Sequence, residues 1–153
     1  MMGLFVVLFL SFSVFGSEIK VAVELSPAGS FEIKTNTVKG SLKKNGENYI
    51  SKRISVPTSK LSTGIELRDK HLKEKLETSY IHMRNIKASG GKGTGEIEVK
   101  GIKKEVKFTY KIENSKMNFK MNLNLPDFKI EGIKYMGVGV QDVVVVQGMI
   151  SFQ

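Results

Sequence analysis

The sequence predicts an all-β fold: an antiparallel sheet, closed on itself or covered on one face, with one short helix. Three observations carry this. Short stretches throughout the chain alternate apolar and polar side chains and end at Gly, Pro, Asn or Ser. Two neighbouring stretches, 105–112 and 116–125, each have one apolar face and one wet face. Only segment 61–76, LSTGIELRDKHLKEKL, replaces this alternation with leucines at helical spacing and a high density of charge.

The first strand is EIKVAVEL (18–25), with Ile19, Val21, Val23 and Leu25 on one face; Pro27 and Gly29 end it. SFEIKTN and TVKGSLKK follow, the chain turns at Asn45-Gly46, and NYISKRISVP runs to Pro57. Beyond the helix come YIHMRNIK, the turn SGGKGTG, then GEIEVKG, EVKFTYKI, a turn at Asn114-Ser115, KMNFKMNLNL and one long closing run, VGVQDVVVVQGMISF. The pattern counts roughly nine or ten strands in a single domain.

In EVKFTYKI, Val106, Phe108, Tyr110 and Ile112 share a face; in the next strand Met117, Phe119, Met121, Leu123 and Leu125 do. Lysines and asparagines occupy the opposite faces. Phe and Met are the side chains that line adaptable apolar cavities, and they equally fill an ordinary core. In the helix, Leu67, Leu72 and Leu76 are expected to face the sheet, Asp69 to cap the first turn, and Arg68 to bond carbonyls or a carboxylate where the chain leaves the sheet. Such a helix closes a gap that strands leave open, as a lid over the end of a barrel does.

At 153 residues with 41% hydrophobic content, the chain is long enough to bury one substantial core. It has no Cys, which excludes disulfides, thiolate metal sites and cysteine nucleophiles. Residues 1–16, MMGLFVVLFLSFSVFG, are apolar and end in small residues, so they are read as a secretory signal peptide cut near Gly16/Ser17, leaving a domain over 17–153. An uncleaved anchor is the alternative, since no Lys or Arg precedes the apolar run. The reading implies export to the periplasm of a bacterium.

The net charge of +9 comes from lysines scattered singly along strands, without basic runs interleaved with aromatics. That distribution argues against nucleic acid and leaves a solvated basic face or contact with an anionic membrane surface. A homodimer is compatible with the sequence and not indicated by it.

Arg68, Asp69, His71, Glu74, His82 and Arg84 are the residues closest to a catalytic set. Two histidines in the whole chain make too few ligands for a metal site, and no strained turn presents a serine nucleophile. SGGKGTG lacks the Ser or Thr that follows the lysine of a phosphate loop, and no helix follows it, so it reads as a hairpin turn. No cofactor and no enzymatic step are expected.

Segment 61–76 resembles the signature of the YceI-like family, in which a Thr-Gly pair, here Thr63-Gly64, precedes an Arg-Asp-x-His helix, here Arg68, Asp69 and His71. GEIEVKGIKKEVKFTYKI (95–112) is similar to a strand pair of that family, and IKYMGVGVQDVVVV (133–146) to its closing strand. The resemblance runs over 31–152. It lacks the family's Trp-containing first strand, and Ile81 stands where a Tyr-Pro pair would place proline.

What the resemblance implies is a lipocalin-like antiparallel β-barrel, capped by the helix, whose apolar interior holds a polyisoprenoid chain as carrier or store. A polyprenyl or quinone-type tail needs apolar walls and no motif; at about 0.3 kcal/mol per heavy atom, a roughly twenty-carbon tail gives about 6 kcal/mol. Strand parity then nominates Phe108, Tyr110, Phe119, Met121 and Leu123 for the lining, with Val138 and Val140 from the closing run. Thr63, Gly64, Arg68, Asp69 and His71 are expected to be structural. The contrasting expectation is a ligand-free envelope module, with a filled core, that docks through its basic surface. An enzyme built on His71 is the third.

Overall fold

Alternating side chains put eleven strands and one α-helix into the computed structural model, which describes residues 17–135 and 137–152. The expected leader at 1–16 lies outside the described residues. The strands are β1 (Glu18–Ser26), β2 (Ser30–Thr35), β3 (Lys43–Asn45), β4 (Asn48–Pro57), β5 (Tyr80–Ser89), β6 (Lys92–Val99), β7 (Ile102–Glu113), β8 (Lys116–Asn124), β9 (Lys134–Tyr135), β10 (Val138–Val140) and β11 (Val143–Ser151). Helix α1 spans Glu66–Leu76.

The sheet order is β3-β4-β5-β6-β7-β8-β11-β1, with β2 on the other edge of β1 and β10-β9 continuing beside its C-terminal end. Every ladder is antiparallel. The sheet curls until β2 and β4 approach, and there the ladder gives way to isolated bridges. Lys34 and Ser62 exchange backbone bonds of 2.8 and 2.9 Å and Lys39 and Ser55 exchange two of 2.8 Å; on its other side the returning chain meets the end of β11, where the Leu42 N–H donates to the Ser151 carbonyl at 3.2 Å. The barrel is therefore stitched along one seam rather than closed by continuous pairing.

The seam explains why TVKGSLKK is mostly irregular. Gly40 sits at φ +101°, and a Cβ there would lie 2.6 Å from the Arg53 carbonyl oxygen. The chain can pass that close to β4 only as glycine, and only Lys43–Asn45 resumes strand pairing. The long closing run is likewise two strands. It breaks at Gln141-Asp142, where the Gln141 N–H donates to Glu24 and Asp142 accepts from Leu125. A register shift between Arg84 and Lys87 contains Asn85 at φ +53°, a conformation Asn tolerates better than most residues.

Inward parity in β7 and β8 follows the sequence pattern over Val106, Phe108, Met117, Phe119 and Met121, but Ile112 is 40% exposed because β7 has outrun the core there. Leu42 and Met117 are the most deeply buried large side chains among the described residues.

Candidate functional site

The sheet encloses a cavity of about 440 Å³, within the range that holds small apolar ligands. Inward-facing residues of β7 and β8 form one wall through Phe108, Phe119, Met121 and Leu123; Val138 and Val140 of β10 also face the space. Six of the seven nominated lining residues thus meet at one cavity. Tyr110 does not line it. Its ring packs edge-on to Tyr49 at 5.9 Å, and Tyr49 meets Phe152 at 5.1 Å. Tyr49 lies at the start of β4 whereas α1 follows its end, so these rings close the end of the barrel opposite the helix.

The opposite wall was not singled out from the sequence. Val21 on β1, Phe31 and Ile33 on β2, and Met83 and Ile97 on β5 and β6 line the same space. Alternation marks each of them as inward-facing, but it does not say which inward-facing residues pack together and which border a void.

Helix α1 covers the remaining end. Its N-cap is Ile65, whose side chain makes no capping bond, so the expected cap at Asp69 is not found; Asp69 lies one turn further in. Its carboxylate instead accepts bonds from the Thr63 backbone N–H and the Thr63 hydroxyl, both at 2.6 Å. These bonds hold the Asp69 carboxyl below its usual pKa, chiefly through the hydroxyl, against the opposing effect of burial. Gly64, at φ +83°, then turns the chain into the helix. Leu76 is buried and Leu72 packs on the core, but Leu67 is 51% exposed, on the wrong side of the helix to meet the sheet. Arg68 stacks its guanidinium 4.3 Å from the centroid of the Phe31 ring rather than bonding at the sheet's exit. Arg68, His71 and Lys75 border the cavity from this helix.

The two halves of the charged set are far apart in role. Arg68, Asp69, His71 and Glu74 belong to α1, whereas His82 and Arg84 alternate with the cavity-lining Ile81 and Met83 and so lie on the outer face of β5. The His82 Nδ1 is 2.6 Å from the Ser55 hydroxyl, its ring stacks on Tyr80, and Arg84 pairs with Glu98 at 2.7 Å. Ser55 is only 5% exposed and is held by Lys39 at the seam, so this Ser–His contact fastens the wall and offers no open nucleophile. Among the described residues no three His, Asp or Glu side chains converge as metal ligands would.

Burial, then the nearby Arg84 and Arg53, lowers the pKa of His82 below the ordinary 6.5. The unfolded chain therefore takes up a proton that the folded chain resists. Stability at this site is full above the ordinary value and falls as pH drops from there toward the lowered one. Chemical denaturation between pH 7 and pH 5 is expected to show a declining midpoint that His82→Gln flattens; an identical slope in the variant would remove His82 as its cause.

With the curled sheet, its cavity and the helix that covers one end in place, the comparison with known proteins is decisive. Residues 12–152 match the YceI-like domain. The chain belongs to the YceI-like family. The crystal structure of BcnA from Burkholderia cenocepacia superposes with a TM-score of 0.65 at 13% identity, over 87% of this chain and 94% of that one. A polyisoprenoid binding domain from Saccharophagus degradans, implicated in plant cell wall breakdown, gives 0.61 at 9% identity, over 87% and 91%. At such identities these likenesses concern the fold. No curated protein sequence matches the chain at a significant level. The Thr63-Gly64 turn and the Arg68-Asp69-His71 helix sit together at the end of the barrel that α1 covers, joined by the bonds from Thr63 to Asp69.

Proposed function

We propose that this YceI-like protein is an exported carrier or storage protein that holds the tail of an isoprenoid lipid inside its barrel and performs no chemical step. The observation that carries the reading is the cavity itself: about 440 Å³, walled by hydrocarbon and thioether side chains from every major strand of the sheet. A flexible unbranched polar molecule would lose its hydration there without compensation, whereas an isoprenoid tail loses nothing. Such a tail binds by apolar contact alone, at roughly 25 cal/mol for each Å² removed from water. The polyisoprenoid-binding domain of similar fold supports the choice of tail. In this reading the apolar N-terminus serves as a leader, and the protein works in the periplasm.

Native mass spectrometry of protein purified from its own envelope fraction, with solvent extraction of the bound material, tests the reading. A stoichiometric adduct of isoprenoid mass is expected. A bare mass that persists after incubation with polyprenyl lipids would overturn the carrier reading in favour of a module acting through its basic surface.

A further inference from the structure

The walls of the cavity are apolar with three exceptions, and all three are basic: Arg68, His71 and Lys75. They come from one helix at positions i, i+3 and i+7, which puts them on one face over about two turns. No carboxylate shares that boundary. Of the acidic side chains of the segment, Asp69 bonds to Thr63 and Glu77 reaches Lys100 at 3.9 Å, while Glu66 and Glu74, also on α1, are not among the residues that line the cavity. Among the described residues the ion pairs engage Lys20, Arg84, Lys100 and Lys103, and neither Arg68 nor Lys75.

Arg68 is also held in place. Its guanidinium lies over the Phe31 ring, which is itself part of the cavity wall, so the face of the group is occupied and its N–H edge remains to donate. His71 and Lys75 are exposed, so the cluster stands where the apolar space meets water. A ligand whose tail fills the barrel would present its head to these donors.

We infer that Arg68, His71 and Lys75 form a head-group site for an anion, so that the protein takes isoprenoid lipids ending in a phosphate or carboxylate in preference to neutral alcohols or quinones. The inference rests on the tail-binding reading and adds a selection to it. Charge-assisted bonds from Arg and Lys to such a head are stronger than those to a neutral oxygen. Lysine and arginine stems that only cover apolar surface would produce no such selection.

The test compares geranylgeranyl phosphate with geranylgeraniol, two probes with one tail, by displacement of a fluorescent apolar dye from the full-length mature protein. The phosphate is expected to bind roughly tenfold tighter at low salt, with the ratio shrinking as salt rises. In the R68Q/K75Q variant the ratio is expected to fall close to one. Equal affinities in the wild type, or a ratio that survives R68Q/K75Q, would overturn the head-group site while leaving tail binding intact. Inorganic phosphate competing as strongly as geranylgeranyl phosphate would also overturn it, assigning the cluster to a free anion. Failure of both lipids to bind would overturn the tail reading and the selection with it.

Discussion

Phe119→Asp is expected to strip isoprenoid lipid from the purified protein, while Met149→Asp leaves the lipid in place. The two residues lie near each other on paired strands but face opposite ways. Phe119 pairs with Gly148 and turns its ring into the cavity, meeting Phe108 edge-on at 6.3 Å; Met149, the next residue along β11, is 37% exposed on the outer face. An ionised carboxylate among hydrocarbon walls must stay hydrated, and water drawn to it occupies the volume a tail would fill. The lost ring also costs stability, by less than the about 3–5 kcal/mol of a fully buried Phe truncated to Ala, because Phe119 is only half-buried. Phe119→Ala separates the two effects, because it removes the packing and keeps the wall apolar. Lipid should persist there and disappear only in the aspartate variant. Extraction and mass spectrometry of the three variants, with circular dichroism to follow folding, make the measurement. Wild-type lipid levels in Phe119→Asp would take Phe119 out of the lining.

The period-two pattern makes this wall legible in the sequence. Alternation fixes which face of a strand turns inward, and in β7 and β8 that face is apolar without interruption from Val106 to Tyr110 and from Met117 to Leu123. Alternation does not fix how far along the barrel a residue lies. Tyr110 has the parity of Phe108 but sits one step nearer the closed end, where Tyr49 and Phe152 are its neighbours. Only the register of strands distant in sequence places it there. The same limit hid the second wall, since the β1–β11 pairing joins the two ends of the domain.

The helix was legible in existence and illegible in orientation. Its leucines announce an apolar face, but Leu67 belongs to a different face from Leu72 and Leu76 and ends in water. Asp69 has the side chain of a cap; what it does depends on where the helix starts, and the start at Glu66 makes it a clamp on the incoming Thr63 turn. The Thr-Gly and Arg-Asp-x-His residues therefore act as one unit. The Asp69–Thr63 bonds set the entry of α1, and the entry sets which residues of the helix border the cavity. Arg68 and His71, three residues apart, share the helix face at the mouth, while Asp69 between them faces the Thr63 turn.

Leu42→Ala is expected to be among the most destabilising single truncations in the barrel, about 2–5 kcal/mol, against less than about 0.5 kcal/mol for Leu67→Ala. In the sequence the two leucines look alike, each set among lysines or glutamates. In the fold Leu42 is 1% exposed and Leu67 51%. Leu42 also stands on the chain that forms one side of the seam, three residues after Lys39; its backbone ties that chain to the end of β11 and its side chain lines the cavity. Elsewhere the sheet is held by ladders of many paired residues, so a lost side chain leaves the backbone bonds to preserve the geometry. At the seam the backbone contributes isolated bridges, and side-chain packing carries a larger share of closure. The truncation should therefore lower the melting temperature by roughly 10 °C. It should also accelerate hydrogen exchange at Lys39 and Ser55, whose amides bridge the same seam, more than at the β7–β8 ladder. Uniform acceleration across both regions would mean that the seam opens only with the whole barrel, and that its bridges are as cooperative as a ladder. Selective acceleration would identify the seam as the weakest line of the wall.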